Sequence, residues 1–175
     1  MYCTPIQLAD ARLVRELAQV ATPERFPIVA DDLMEAVLRG EDTSAFAPED
    51  VAIALEALVH INQALTDADG VIDGYLRMRK PVPYVVPLVP APGIVSVWAR
   101  QIARYLLHKD RVNTEEKTDP IVRDYRDALR FLELTRDGKF SLGTDDPLPP
   151  AGAGAPEFCA PPREFTAGTL KDFGT

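Results

Sequence analysis

The sequence predicts an all-α protein: a helical bundle of about five helices with one long helix, a proline-rich ordered loop and an extended C-terminal arm. Apolar residues recur at three- and four-residue steps through most of the first 138 positions, which is the period of helices that bury one face. Capping residues followed by proline come before several of these stretches. No segment alternates as a strand would, and no internal repeat is present.

The first two helices are predicted from their start signals. Thr4 followed by Pro5 pairs a capping hydroxyl with proline at the first helical position. The inward residues of that helix are Ile6, Ala9, Leu13, Leu17 and Val20. Thr22-Pro23 predicts the start of a second helix, with Pro27 as an alternative start. Gly40 then suits the left-handed position that ends a helix.

A long third helix is predicted from Pro48 to about Arg79. Glu49 and Asp50 give it an acidic first turn, which the helix dipole favours. Its inward stripe consists of Val51, Leu55, Leu58, Ile61, Leu65, Ile72 and Leu76. Gly70 and Gly74 lie inside this helix, so we expect either a bend or the close approach of another backbone.

Five prolines between positions 81 and 92 predict a non-helical connection. Prolines this dense exclude both a helix interior and a central strand. The intervening residues are mostly apolar and would be poorly solvated. We therefore expect residues 80–93 to form an ordered loop.

The fourth and fifth helices are predicted over Ile94–His108 and from Thr118-Asp119-Pro120 to Gly138. The fourth helix turns Trp98, Ile102, Tyr105 and Leu106 inward, and the fifth does so with Val122, Tyr125, Leu129 and Leu132. The centre of the core between them is predicted to be Trp98, Tyr105, Tyr125 and Leu129.

The chain divides by composition into a helical body, residues 1–143, and an arm, residues 144–175. The arm holds six prolines and four glycines, which prevents it from packing as a helix or strand by itself. It still carries apolar anchors, unlike an ordinary disordered spacer. We expect it to dock on another chain through Phe158, Arg163, Phe165, Leu170 and Phe173. The alternative is that it folds back onto its own body.

The charge balance restricts the possible partners. A net charge of −8 argues against broad affinity for nucleic acid or anionic membranes, because phosphate binding depends on Lys and Arg. A local basic stripe remains on the fourth helix and just beyond it: Arg100, Arg104, His108 and Arg111, with Lys109 beside them. It would contact DNA, solvent or an acidic partner. Arg77, Arg79 and Lys80 are placed to cap the last carbonyls of the third helix.

Catalytic, metal and targeting signals are weak. The carboxylates of 67–73 do not have the spacing of a calcium loop, so they are interpreted as a solvated helix face. Two cysteines and two histidines match no zinc spacing. Cys3 near a helix start is a candidate for a lowered pKa, and His60 for a buried or interface histidine. We expect no enzyme, cofactor or metal, and a soluble protein made in the cytoplasm without a signal peptide or membrane span.

Four segments, in order, resemble a Mu-like phage protein family. Ile72 to Pro83 is similar to that family's "IDGYL-x-x-R-x-x-x-P" segment. The opening Met-Tyr-Cys-Thr, the Ile-Ala-Arg-Tyr-Leu-Leu from position 102 and the Tyr-Arg-Asp-Ala-Leu-Arg-Phe-Leu from position 125 resemble its other conserved parts. The segment 22–49 and Gly70 depart from the pattern, which bears on ring geometry.

The resemblance implies a structural protein of the virion neck. It would form the head-to-tail connector, a cyclic homo-oligomer of about twelve copies between the portal and a tail-side stopper or tail-completion protein. Double-stranded DNA would pass through its lumen without specific binding. Candidates for the ring or neck interface are Tyr75, Arg77, Arg79, Tyr84, Arg100 and Arg104. The alternative is a monomeric assembly chaperone or regulatory module that binds a partner through its tail.

Overall fold

The computed structural model describes residues 1–109 and 119–143, except for the side chains of Ala11 and Arg12. These residues form one short 3-10 turn, Pro5–Leu8, and five α-helices. The helices are α1 Ala11–Ala21, α2 Asp31–Arg39, α3 Pro48–Arg77, α4 Gly93–His108 and α5 Pro120–Arg136. No strand occurs in these two ranges, so the all-α prediction is confirmed. None of the described helices is both long and apolar enough to cross a membrane.

The first helix was predicted to run without interruption from Thr4, and this prediction is wrong. The signal at Thr4 and Pro5 builds only the 3-10 turn, in which the Thr4 N–H donates to Gln7 Oε1 at 2.9 Å. The helical geometry ends at Ala9. The helix α1 begins after Asp10, whose carbonyl accepts hydrogen bonds from the N–H groups of Leu13 and Val14. Asp10 is a second helix-start residue only six positions beyond Thr4, and it starts the longer helix.

The predicted second helix begins later than expected, at Asp31 instead of Thr22 or Pro27. The Thr22 hydroxyl turns back and donates to the carbonyl of Ala18 at 2.5 Å, so it completes α1. Pro27 also disfavours helical geometry in the residue before it. The predicted end is confirmed, because Gly40 has a φ of 70° and the next N–H, of Glu41, bonds to the carbonyl of Ala36 at 2.8 Å.

The long helix is confirmed as α3, whose 30 residues span about 45 Å. Its buried residues are Ala54, Ala57, Ile61, Ala64, Leu65, Ala68, Ile72 and Leu76. Leu55 was predicted to face inward but is 50% exposed, because alanines occupy the buried stripe on either side of it. No described atom lies within 4 Å of a Cβ built on Gly70 or Gly74, so the expected close approach of a backbone is not found within the described chain.

The core lies where α3, α4 and α5 meet. Trp98 is buried as predicted, and its neighbours Ile102, Leu132 and Ala128 are almost fully enclosed. Tyr105 and Tyr125 do not lie at the centre: they stack at the margin with ring centroids 3.9 Å apart. Leu129 is only partly buried. The small Ala128 is buried between the helices, and this register places Leu132 in the central position that Leu129 was predicted to occupy.

The start of α5 follows its predicted signal. The Asp119 side chain accepts a hydrogen bond from the Ile121 N–H at 2.7 Å, and Pro120 is the first helical residue. At the other end, Phe140 packs on Trp98 with ring centroids 5.9 Å apart. The chain therefore leaves the core beside α4.

Candidate docking surface

The proline-rich connection between α3 and α4, residues 78–92, is held against the bundle by backbone hydrogen bonds; we call it the loop. The Tyr84 N–H donates to the Leu76 carbonyl at 3.1 Å, and the Lys80 N–H donates to the Arg136 carbonyl at 2.8 Å. One bond ties the loop to the end of α3 and the other to the end of α5. The loop is therefore fixed to two helices.

Gly138 makes the second of these contacts possible. It has a φ of 72°, and a Cβ at this position would lie 2.5 Å from the Lys80 carbonyl oxygen. Any other residue would be strained and would push the loop away from α5. The glycine that was predicted to end the fifth helix therefore also lets the loop pack on it.

Arg79 and Tyr84 hold the loop from inside. The Arg79 side chain is 9% exposed, and its Nη1 donates to the Val82 carbonyl at 3.0 Å. Its guanidinium carbon lies 4.7 Å from the centroid of the buried Tyr84 ring. The structure thus directs Arg79 to a loop carbonyl, a contact that the sequence had not suggested.

Tyr2 ties the loop to α3 from the other side. Its hydroxyl donates a short hydrogen bond to Asp73 and accepts one from the Leu88 N–H at 3.1 Å. The Tyr2 N–H donates to the Asp69 carboxylate at 3.0 Å. Burial, followed by the hydrogen bond to Asp73, raises the pKa of Tyr2 well above its usual range, so the phenol stays protonated.

Two predictions about the carboxylates and the thiol are therefore corrected. Asp69 and Asp73 are not a solvated face but the acceptors that anchor the N-terminal segment. Cys3 is buried, and burial raises the pKa of its thiol to about 11 instead of lowering it. Spacing within α3 could not reveal these contacts, because their partners lie 67 and 71 positions away in sequence.

The outer side of the loop is apolar and bare. Val85 and Val89 are 88% and 87% exposed, whereas Val86 and Leu88 pack against the core. Met78, the first residue after α3, is also exposed. Arg77, the last residue of α3, and Lys80, in the loop, are exposed cations. We call these five residues the loop surface: a fixed backbone that presents apolar side chains and positive charge to the outside.

The predicted interface residues occupy different environments. Arg77 is exposed on the loop surface, whereas Arg79 and Tyr84 are buried beneath it. Tyr75 is half-buried, with the Arg136 guanidinium 6.0 Å from its ring centroid. Arg100 is half-buried on α4. The predicted arm contacts, Phe158, Arg163, Phe165, Leu170 and Phe173, lie outside the described residues, and so does Arg111.

Two residues of the basic stripe, Arg104 and His108, are engaged within the chain. Arg104 donates two hydrogen bonds of 2.6 Å to the Glu16 carboxylate on α1. The hydrogen bonding to Glu16 raises the pKa of Arg104. His108 is buried, with its Nε2 3.3 Å from Glu16 and its Nδ1 2.9 Å from the Arg104 carbonyl. This pair of side chains joins α4 to α1, whereas Lys109 is exposed and Arg100 half-buried.

His60 is exposed, so of the two predicted alternatives the core histidine is wrong and the interface histidine stays a prediction; its Nδ1 lies 3.0 Å from the Ala21 carbonyl. Within residues 1–109 and 119–143 no group of three His, Cys, Asp or Glu side chains could hold a metal ion. The arrangement the described chain offers is one suited to docking.

Comparison with known proteins agrees with the four sequence segments noted above. The family model described as Bacteriophage Mu, Gp36 matches residues 2–158, which is most of the chain. The match begins at Tyr2 and includes α3, the loop, α4 and α5.

Two relatives match over shorter stretches. The Mu-like prophage FluMu protein gp36 of Haemophilus influenzae is 41% identical over 86 residues, which are 49% of this chain and 55% of that protein. Gene product J of Escherichia phage Mu is 37% identical over 83 residues, which are 47% of this chain and 52% of that protein. The chain thus spans about half the length of these relatives. No solved structure matches it.

Proposed function

The chain belongs to the Bacteriophage Mu Gp36 family, and we propose that it serves as the head-to-tail connector, or adaptor, of a Mu-like tailed phage. It would sit in the neck of the virion, in a ring between the portal and a tail-side stopper or tail-completion protein. The proposal assigns it no enzymatic reaction and no cofactor.

The observation that carries this proposal is the loop surface. Val85 and Val89 lie almost fully in water, and burying each such side chain against a partner would be worth about 1.5–3 kcal/mol. Here the loop beneath them is fixed by Tyr2, Arg79 and Gly138. A fixed backbone with exposed apolar side chains is prepared for a partner, because little conformational entropy is left to lose on binding.

The length of α3 and the family resemblance both support the proposed ring. α3 is about 45 Å long, which exceeds the diameter of a small helical bundle and lets one subunit reach its neighbours on both sides. About twelve copies would close the ring through head-to-tail contacts. The net charge of −8 suits a lumen through which DNA slides, because strong cationic contacts would retard it.

Removal of the gene tests the role. Particles assembled without this protein should be heads without tails, either filled or leaking DNA, and should be non-infectious. Electron microscopy of such a lysate and a plaque count measure both properties. Normally tailed, infectious particles would contradict the role.

The arm is the second part of the proposal. We place residues 144–175 on another chain, with the portal as the first candidate. A protein that ends at Gly143 should keep its melting temperature yet fail to assemble with portal rings. Unfolding of the shortened protein would show that the arm belongs to its own core, and retained portal binding would place the docking surface elsewhere.

A further inference from the structure

The two ends of α3 carry surfaces of opposite character. The loop surface, with its exposed valines and the cations Arg77 and Lys80, lies at the C-terminal end. The N-terminal end carries a groove of about 170 Å³ between α2 and the first turns of α3. We call it the α2–α3 groove; its lining residues include Ile28, Leu33, Phe46, Asp50 and Ile53.

The groove and the loop surface are complementary in polarity and charge. The groove is lined mainly by apolar residues, with one carboxylate, Asp50, in its wall. Ile28 at its edge is 61% exposed. A valine side chain presented from an extended backbone has the size and character to fill such a groove, and a cation beside it would meet Asp50.

Charge is segregated along the chain in the same way. Residues 24–59 contain nine acidic residues and two arginines. Both of these arginines are paired within the region, Arg25 with Glu56 and Arg39 with Glu35. Residues 77–109 contain six Lys or Arg residues and no acidic one. The α2–α3 end is therefore acidic. Of the six cations in 77–109, Arg77 and Lys80 are the exposed ones at the loop end, where Asp137 interacts with Lys80.

We propose that the loop surface of one copy seats in the α2–α3 groove of the next copy. Val85 or Val89 would enter the groove, where a cation of the loop surface would meet Asp50. Glu41, which follows the end of α2, adds to the negative charge of the same α2–α3 end. Because α3 separates the two surfaces within one copy, the contact joins different copies and is heterologous, as ring closure requires. The inference rests on the ring proposed above and deepens it by naming the two faces of the subunit contact.

Charge reversal on each face tests this contact. One variant carries Arg77→Glu and Lys80→Glu, and the other carries Glu41→Lys and Asp50→Lys. All four residues are exposed. Each variant alone would place like charges across every contact of a ring, which opposes ring closure. When the two variants are mixed, every contact in an alternating ring becomes complementary again.

The variants are chosen to leave the monomer intact. Asp50→Lys is unfavourable at the start of α3, but Glu41→Lys is favourable at the end of α2, so their effects on the helix dipoles oppose each other. Arg15→Glu with Arg130→Glu, also exposed, reproduces the net charge of the first variant away from both faces. The melting temperature of each purified variant verifies the fold.

The readout is the yield of tailed particles when a phage lacking the gene is complemented from a plasmid. Each variant alone should lower that yield at least about tenfold, while co-expression of both, or all four changes in one chain, should restore it. The Arg15/Arg130 variant should complement fully. Full complementation by either test variant, or no recovery on co-expression of folded variants, would overturn the contact. The role itself would fall only if phage without the gene made normally tailed particles.

Discussion

The core between α3, α4 and α5 and the loop that joins α3 to α4 are neighbours held in different ways. Trp98, Ile102 and Leu132 are enclosed by apolar contacts. The loop is held by a few hydrogen bonds from Tyr2, Arg79 and the ends of α3 and α5, and it turns valines to the outside. The buried side chains of the core stabilise the fold, whereas the loop leaves apolar side chains exposed and so presents a surface. Mutations in the two regions should therefore separate folding from assembly.

The largest effect is expected in the core. Leu132→Ala should lower the free energy of unfolding by about 2–5 kcal/mol, because the side chain is fully buried and truncation leaves a cavity. Leu129→Ala, on the same helix but only partly buried, is the matched control and should cost clearly less. Urea denaturation measures both. Equal losses would show that the core centre lies nearer Leu129.

The ion pair between α1 and α4 should rank second. Arg104→Ala should lower the free energy of unfolding by about 1.5–3 kcal/mol, because the Glu16 carboxylate loses two charged hydrogen bonds in a partly buried site. Arg100→Ala, one turn earlier on α4, is the control. If the Arg104 variant kept its melting temperature but failed to assemble, Arg104 would act at the subunit interface and not in stabilising the fold.

Removing the Tyr2 hydroxyl, which holds the loop, should have a smaller effect on stability. Tyr2→Phe should cost about 1–3 kcal/mol, because the Leu88 N–H and the Asp73 carboxylate each lose a partner. Tyr105→Phe, which keeps the ring stacked on Tyr125, is the control. Particle assembly should fall with the Tyr2 variant although the body stays folded.

The same substitution should change the dependence of stability on pH. The pKa of Tyr2 is raised in the folded chain, so above the ordinary value of 10.0 the unfolded chain releases this proton first. Stability then falls as pH rises, by up to about 1.4 kcal/mol per pH unit from this group. Tyr2→Phe removes that contribution. Identical pH profiles of the two proteins above pH 10 would contradict the buried hydrogen-bonded phenol.

The sequence predicted the two regions unequally. α3 and α5 were predicted well, because proline at the first helical position and a continuous apolar stripe favour the same helix. Between positions 4 and 31 several residues could start a helix, among them Thr4 and Asp10, and the local sequence does not show which of them prevails. The loop was predicted to be non-helical from its prolines, but what holds it was not. Tyr2 reaches Asp73 and Leu88 across 71 and 86 positions, a separation that periodicity does not report.

The smallest effect on stability, joined to a large effect on assembly, is expected on the loop surface. Val85→Ser with Val89→Ser should change the free energy of unfolding by less than about 0.5 kcal/mol, because both side chains already lie in water. Virion assembly should nevertheless fail. Val59→Ser on α3, 63% exposed, is the control and should leave assembly intact.

A cryo-EM map of the virion neck tests the central claim most directly. The account predicts a closed ring of this chain beneath the portal, in which Val85 and Val89 of each copy are covered by a neighbouring chain. A neck without such a ring, or a ring in which the loop surface faces open solvent in every copy, would contradict it.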